Sequence, residues 1–443
     1  MEYRLRCGAA KANITPGPEL MKRLHGLRNV HFVQVLDELF VRVIAFDNGV
    51  QRMLIVSFEL DKSPVPDAFS TELSQRTGVP KEYIFYLSTH THTAPIHSER
   101  PNDGPNAKFR KPEDVQKAMS EYEQLLKAKL FDAADEALAD LEECRIGWTL
   151  GESYINENRC RDYYVEAEDG TVTAMCALGS NPTGPVDREL TLIRAERMDG
   201  STIAAFVNYP VHCCIMIGNN WDGQGGAGLG GDLAGAVSRM MEEKYGGIAV
   251  WTSGAAGDVN PIMLNEYYIP DPKTGAMREY LDVNSAQPAL TALKLLSTRH
   301  FDDIKRAMRK LRCEIQCAEI SAATDWSHTP AKGGGTYDIR VRCVRLGELL
   351  FCGISGELYT THGRRMRAAA GKAQNPPAHM IIMNHDGSLD ANCDYISDDE
   401  TLARYEHNDE NHGMPGMGPR TCILPGYVAK SLEELTVRLL DRC

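Results

Sequence analysis

Apolar and polar positions along this chain fall into blocks that switch repeatedly between strand and helix character. Residues 39–47 (Leu-Phe-Val-Arg-Val-Ile-Ala-Phe-Asp) and 51–58 are rich in β-branched and aromatic residues, with Asp47-Asn48-Gly49 as a hairpin turn between them. Residues 66–77 read as a helix stopped by Gly78-Val79-Pro80, and Tyr83-Ile84-Phe85-Tyr86-Leu87 as a buried strand. Residues 99–111 are polar and rich in Pro, Asn and Gly, which predicts a loop. Residues 112–142 carry Leu126, Leu130, Ala133, Ala137 and Leu141 at helical spacing.

The pattern repeats in the second half. Residues 188–195 and 202–208 predict a hairpin turned by Met198-Asp199-Gly200. The glycine-rich loop Gly223 to Gly231 leads into a helix over 232–245, with Asp232 as its N-cap. A strand over 248–252 follows, then helices at 288–310 and strand character at 313–323 and 337–353. Helices are expected at 357–370, with Glu357 opening the first turn, and at 427–441. Alternating strands and helices predict an α/β fold, a mixed β-sheet core flanked by helices, and no linker divides residues 1–443. The expectation is a single large domain.

Composition narrows the function classes. The 443 residues are 43% hydrophobic and 25% charged, enough for a sizeable core. A formal net charge of -13 argues against nucleic acid or an anionic membrane as the main partner. No apolar stretch is long enough to span a bilayer, and the first residues lack an apolar signal core, so a cytoplasmic protein is expected. The 13 cysteines form no Cys-x-x-Cys pair and read as reduced, mostly buried thiols.

Chemistry concentrates where strands end. His90 and His92 follow the strand at 83–87, and alternation along an extended chain predicts that they point the same way. A second apolar run, Ile203 to Val207, leads through Asn208-Tyr209-Pro210-Val211 to His212. Imidazoles delivered at the ends of two strands are a way to build a metal site on an α/β scaffold.

Several segments together resemble the neutral/alkaline, non-lysosomal ceramidases. Ser88-Thr-His-Thr-His-Thr-Ala-Pro95 is similar to their Gly-Thr-His-Thr-His-Ser-Gly-Pro element, and Asn208-Tyr-Pro-Val-His212 to their Asn-Trp-Phe-x-Val-His. Ala256-Gly-Asp-Val-Asn-Pro261 resembles Gly-Asp-Val-Ser-Pro-Asn, and Ser355-Gly-Glu-Leu-Tyr-Thr-Thr-His-Gly-Arg-Arg365 resembles Pro-Gly-Glu-Phe-Thr-Thr-x-x-Gly-Arg-Arg. Asn156-Glu-Asn-Arg159, Asp187 to Arg194 and Ala12-Asn-Ile-Thr-Pro16 also fit, in the family's order.

The resemblance implies one catalytic Zn2+ held by His90, His212, Glu357 and Tyr395. It implies that His92 contacts the attacking water or the oxyanion, and that Arg159 and Tyr405 are further donors to substrate. The implied activity is a zinc-dependent hydrolase that cleaves a C–N amide bond with metal-activated water. Three departures qualify it. Asn260 stands where the family has a serine, and an amide is no nucleophile, so Asn260 is expected to donate to the oxyanion or shape its turn. The family's C-terminal β-sandwich has no counterpart within 1–443, and no lipid-docking helix is evident. A small amide or ester substrate is therefore expected, an N-acyl lipid being one option. The alternatives are a zinc hydrolase of an ester or lactone, and a non-catalytic homologue. His362, one helical turn beyond Glu357, is an extra candidate without a place in the site, and the other histidines, His385 among them, receive no role.

Overall fold

The structure is a computed structural model that describes residues 3–27, 30–97, 113–166, 168–262, 268–270, 277–279, 286–387, 395–404 and 423–443. Its frame is a mixed sheet of eight strands. In spatial order they are Ile248–Ser253, Thr202–Tyr209, Glu189–Arg197, Glu142–Glu152, Arg6–Asn13, Phe40–Asp47, Arg52–Phe58 and Ile84–Ser88. The outermost pair at each edge is parallel, and the others are antiparallel.

A second sheet of four strands, Ile320–Pro330, Thr336–Leu346, Leu349–Ile354 and His379–Met383, lies against the first. Ile44, Ile55, Phe85 and Phe206 of the large sheet share one apolar cluster with Val344, Phe351, Ile381 and Met383 of the small one. The opposite face of the large sheet packs on helices Glu113–Ala139, Asp232–Tyr245 and Ala286–Met308. The outer face of the small sheet packs on helices Thr360–Ala370 and Val428–Leu440. The layers thus run helix, sheet, sheet, helix. Covering both faces explains why Val41–Phe46 and Met53–Phe58 are almost continuously apolar instead of alternating.

The mixed α/β class with flanking helices is as expected, with the sheet doubled. Strand character predicted over 337–353 resolves into two strands, because Gly347 at φ +58 turns the chain between them. The strand expected from 313 starts at Ile320. Glu357 does not open a helix: it sits on the short strand Glu357–Leu358, and the helix begins at Thr360. Asp232 is not the N-cap either. Gly231 holds that position, while the Asp232 carboxylate accepts from Met216 N at 2.8 Å and Leu233 N at 2.6 Å.

Candidate metal centre

The site forms at the carboxyl ends of strands from both sheets. His90 lies two residues after the strand Ile84–Ser88, and His212 three after Thr202–Tyr209. Glu357 lies three after Leu349–Ile354, and His385 two after His379–Met383. Strand alternation does not aim His90 and His92, since the strand ends at Ser88 and His90 is left-handed at φ +59. A cross-link between loops does it instead: Thr91 forms a parallel bridge with Cys213, and His92 N donates to Cys213 O at 3.0 Å. The same bridge carries His212 to the pair. Glu357 is held opposite Tyr395, because Glu357–Leu358 pairs in parallel with Tyr395–Ile396.

Four donor atoms converge. His92 Nε2 lies 3.1 Å from His90 Nε2, His90 Nε2 3.4 Å from Glu357 Oε2, and His212 Nε2 3.1 Å from the same oxygen. Ligands on a tetrahedral ion with bonds of ~2.0–2.1 Å stand about 3.3 Å apart. The outer ring nitrogens are braced: His90 Nδ1 donates to Asp61 O at 2.8 Å and His212 Nδ1 to Val259 O at 3.0 Å. A carbonyl only accepts, so each Nδ1 carries its hydrogen and each neutral ring turns an Nε2 lone pair inward. The His212 lone pair then faces a carboxylate oxygen, a contact that needs a positive charge between the two.

The electrostatics agree with that donor set. Burial, with Arg159 adding to it, pushes the His212 imidazole down to about 4, so it is neutral. Burial and then His90 hold His92 well below the ordinary histidine value. Burial opposes the charge on Glu357, yet His90 and His212 keep its carboxyl well below the usual range. Burial also opposes charge on His90, but Glu357 and Asp61 outweigh it and raise its proton affinity. Ligands must offer lone pairs, and the neutral His212 and His92 imidazoles beside an ionised carboxylate do. Imidazole and carboxylate donors suit Zn2+ and other imidazole-binding divalent ions.

The other expected site residues lie close by. Arg159 is buried: Nε at 3.2 Å and Nη2 at 2.7 Å donate to Gly257 O, and Nη1 at 3.1 Å to Asn260 Oδ1. Its guanidinium also lies over the Tyr395 ring, 5.1 Å from the centroid. An arginine cannot accept, so the Asn260 atom facing it is the oxygen, and the Asn260 amide hydrogens point elsewhere. The strand Asn156–Glu166 aligns these groups, pairing Glu157 with Asn260 and Asn158 with Val259. The Tyr395 ring stacks against His212 at 6.4 Å. Tyr405, and the polar loop expected at 99–111, lie outside the described residues.

Two site residues escaped the sequence reading. Asp61, three residues past the strand Arg52–Phe58, brings its Oδ1 to 3.2 Å from His90 Nδ1. His385 stacks on His90 with centroids 4.1 Å apart. The signal used for His90 and His212, an apolar strand ending in histidine, was present for His385 in His379–Met383 followed by Asn384.

A buried histidine–carboxylate centre at the strand ends of a mixed α/β sandwich is the class that fold and site define. No protein-family model and no curated protein sequence matches this chain. Among solved structures, neutral ceramidase from Pseudomonas aeruginosa aligns with a TM-score of 0.69 at 15% identity, over 99% of this chain and 74% of that one. A ceramidase complexed with C2 aligns with a TM-score of 0.68 at 14% identity, over 99% and 75%. Likeness at such identities is likeness of fold, and the chain shares the architecture of these ceramidases.

Proposed function

We propose that this chain is a zinc-dependent hydrolase that opens a C–N amide bond with water. The observation that carries the reading is His212 Nε2, its lone pair turned inward by the Val259 carbonyl, 3.1 Å from Glu357 Oε2. His90, His212 and Glu357 hold the ion, with Tyr395 on the strand beside Glu357 as the fourth ligand. When bound, Zn2+ supplies Lewis acidity, lowering the pKa of water towards about 7 and polarising a carbonyl.

The chain's own groups do the rest. His92, neutral and the least buried of the three clustered imidazoles, accepts a proton at Nε2 and returns it to the leaving nitrogen. Asn260, its oxygen tied to Arg159, offers amide hydrogens to the carbonyl oxygen as charge develops there. Arg159 keeps Asn260 in that orientation. Tyr405 is proposed as a further donor to the substrate. Without a serine at Asn260, water attacks directly, and the same machinery accepts esters.

The test is zinc content together with hydrolysis of N-acyl amides, N-acyl sphingosine included, beside matched esters and lactones. Stoichiometric zinc and amide turnover, both lost in His212→Ala, are expected. A folded wild-type protein that takes up no zinc and turns over nothing would leave the non-catalytic reading.

A further inference from the structure

The segment Asn384 to Gly387 is tied into both sheets. Asn384 N donates to Ser253 O at 2.9 Å, and His385 N to Gly356 O at 3.2 Å, immediately before Glu357. Asp386 N donates to Ile354 O at 2.9 Å, and Gly387 N to Tyr86 O at 2.8 Å. Tyr86 N in turn donates to Asp386 Oδ1 at 2.9 Å. Strands Ile248–Ser253, Leu349–Ile354 and Ile84–Ser88, with Gly356 beside Glu357, therefore decide where the His385 ring lies. The ring is 1% exposed and lies over His90 with planes 16° from parallel.

Holding it there is costly. His385 is left-handed at φ +64, uncommon for a residue with a Cβ, and His90 beside it is left-handed as well. Among the described residues its buried Nδ1 has no hydrogen-bond partner. A ring kept buried on a strained backbone, with a nitrogen left unpaired, marks a position whose placement is constrained.

A ring nitrogen of His385 falls within 4.8 Å of a ring nitrogen of His90 and a carboxylate oxygen of Glu357, so direct ligation is the obvious reading. The stacking argues against it. An imidazole binds a metal in its own plane, and two near-parallel rings 4.1 Å apart cannot both keep one ion in plane.

We propose that His385 is a positioning residue for His90. Its ring covers one flat face of His90 and sets the ring plane, while the Asp61 carbonyl sets the rotation within that plane. Between them they aim Nε2 at the point shared with His212 and Glu357. Cation affinity then depends on a histidine that does not touch the cation. This inference rests on the metal-centre reading above and extends it.

Two substitutions test it. His385→Asn tolerates a left-handed backbone but removes the ring; His385→Phe restores a flat ring without nitrogen. Zn2+ affinity is measured by chelator competition, stoichiometry by elemental analysis, and donor number from the visible bands of the Co2+ form. His385→Asn is expected to keep one ion per chain and unchanged Co2+ band positions, with affinity lower by roughly 10–100-fold, the loss typical of residues that orient a ligand. His385→Phe is expected to recover most of that loss. Wild-type affinity in folded His385→Asn overturns the proposal. So does a change in Co2+ bands marking a lost nitrogen, which makes His385 a ligand, or a fall from two ions per chain to one. If wild type binds no ion while folded, the metal-centre reading itself fails; if His212→Ala loses the ion and His385→Asn binds it with wild-type affinity, only this inference falls.

Discussion

Two buried charged clusters lie at the large sheet, two residues apart in sequence at their nearest, and they are built on opposite plans. In the first, Arg42 and Glu59 pair at 2% and 1% exposure. Arg42 Nε also reaches Glu242 Oε1 at 2.8 Å, and Lys11 Nζ reaches the other Glu242 oxygen at 2.6 Å. Each carboxylate meets a guanidinium or an ammonium, so the cluster balances its own charge. Burial opposes the charge on Glu242, but Arg42 and Lys11 prevail and lower its carboxyl.

In the second cluster Glu357 meets the ring nitrogens of His90 and His212, and backbone carbonyls fix both tautomers. Glu59 belongs to the first cluster and Asp61 to the second. A cluster that closes its charges with side chains is architecture. One that aims lone pairs at a carboxylate is suited to take up a cation. The contrast is testable because the two should respond to different perturbations.

The largest effect is expected on cation binding. His212→Ala removes an inward lone pair and leaves Glu357 with one imidazole. Zn2+ affinity should fall by more than the roughly 10–100-fold seen when an orienting residue is lost. Retention of stoichiometric zinc under chelator competition would place His212 in the architectural class.

Next in size is Arg42→Met. Removing the cation leaves Glu59 buried without its partner, which costs about 3–5 kcal/mol when a buried pair is broken. Urea unfolding should report that loss equally with zinc and with chelator present. A zinc-dependent loss would mean that the two clusters are coupled.

Chelation of the wild-type protein should produce a smaller change. An ion bound to the folded state alone stabilises by about 2.7 kcal/mol at a free concentration 100 times its dissociation constant. A chelator should lower the wild-type melting temperature accordingly and leave that of His212→Ala where it was. Equal shifts in both proteins would break the comparison.

How much of this was legible in the sequence follows from what each feature depends on. The helix Asp67–Thr77 and its stop at Gly78, left-handed at φ +69, depend on local chemistry and were readable. The hairpins around Gly49 and Gly200 were readable for the same reason, both glycines having positive φ. The nearness of His90 to His212 was inferable as two strands ending in histidine. The bridge from Thr91 to Cys213 that aims them was not, because pairing between segments 122 positions apart leaves no local pattern. The second sheet was hidden likewise: Leu349–Ile354 and Ile84–Ser88 are both short apolar runs, and nothing local assigns them to different sheets. Glu357 looked like a helix-opening acid because Thr360–Ala370 follows so closely. Its two-residue strand exists only through pairing with Tyr395–Ile396. His385 needed nothing beyond the rule that found His90, and was passed over because no motif flanked it.

A histidine outside both clusters supplies the finest test. His300 is fully buried in the helix-side core, its Nδ1 2.9 Å from Ser153 Oγ and its ring 4.6 Å from that of Tyr209. Burial alone pushes its pKa down to about 3. The folded protein therefore keeps His300 neutral, whereas the unfolded chain takes up a proton near the ordinary value of about 6.5. Protonation favours the unfolded chain, so stability is lost as pH falls below about 6.5, and the loss grows until about 3. At pH 5.5, one unit below the unfolded value, the loss is about 1.4 kcal/mol. His300→Leu should be less stable than wild type at neutral pH yet lose about that much less between pH 7.5 and 5.5, read from urea midpoints with chelator present. An unchanged slope would mean that His300 is already charged or solvated in the fold. Burial alone would then not explain a neutral imidazole here, and the same argument for His212, where burial is again the leading cause, would weaken with it.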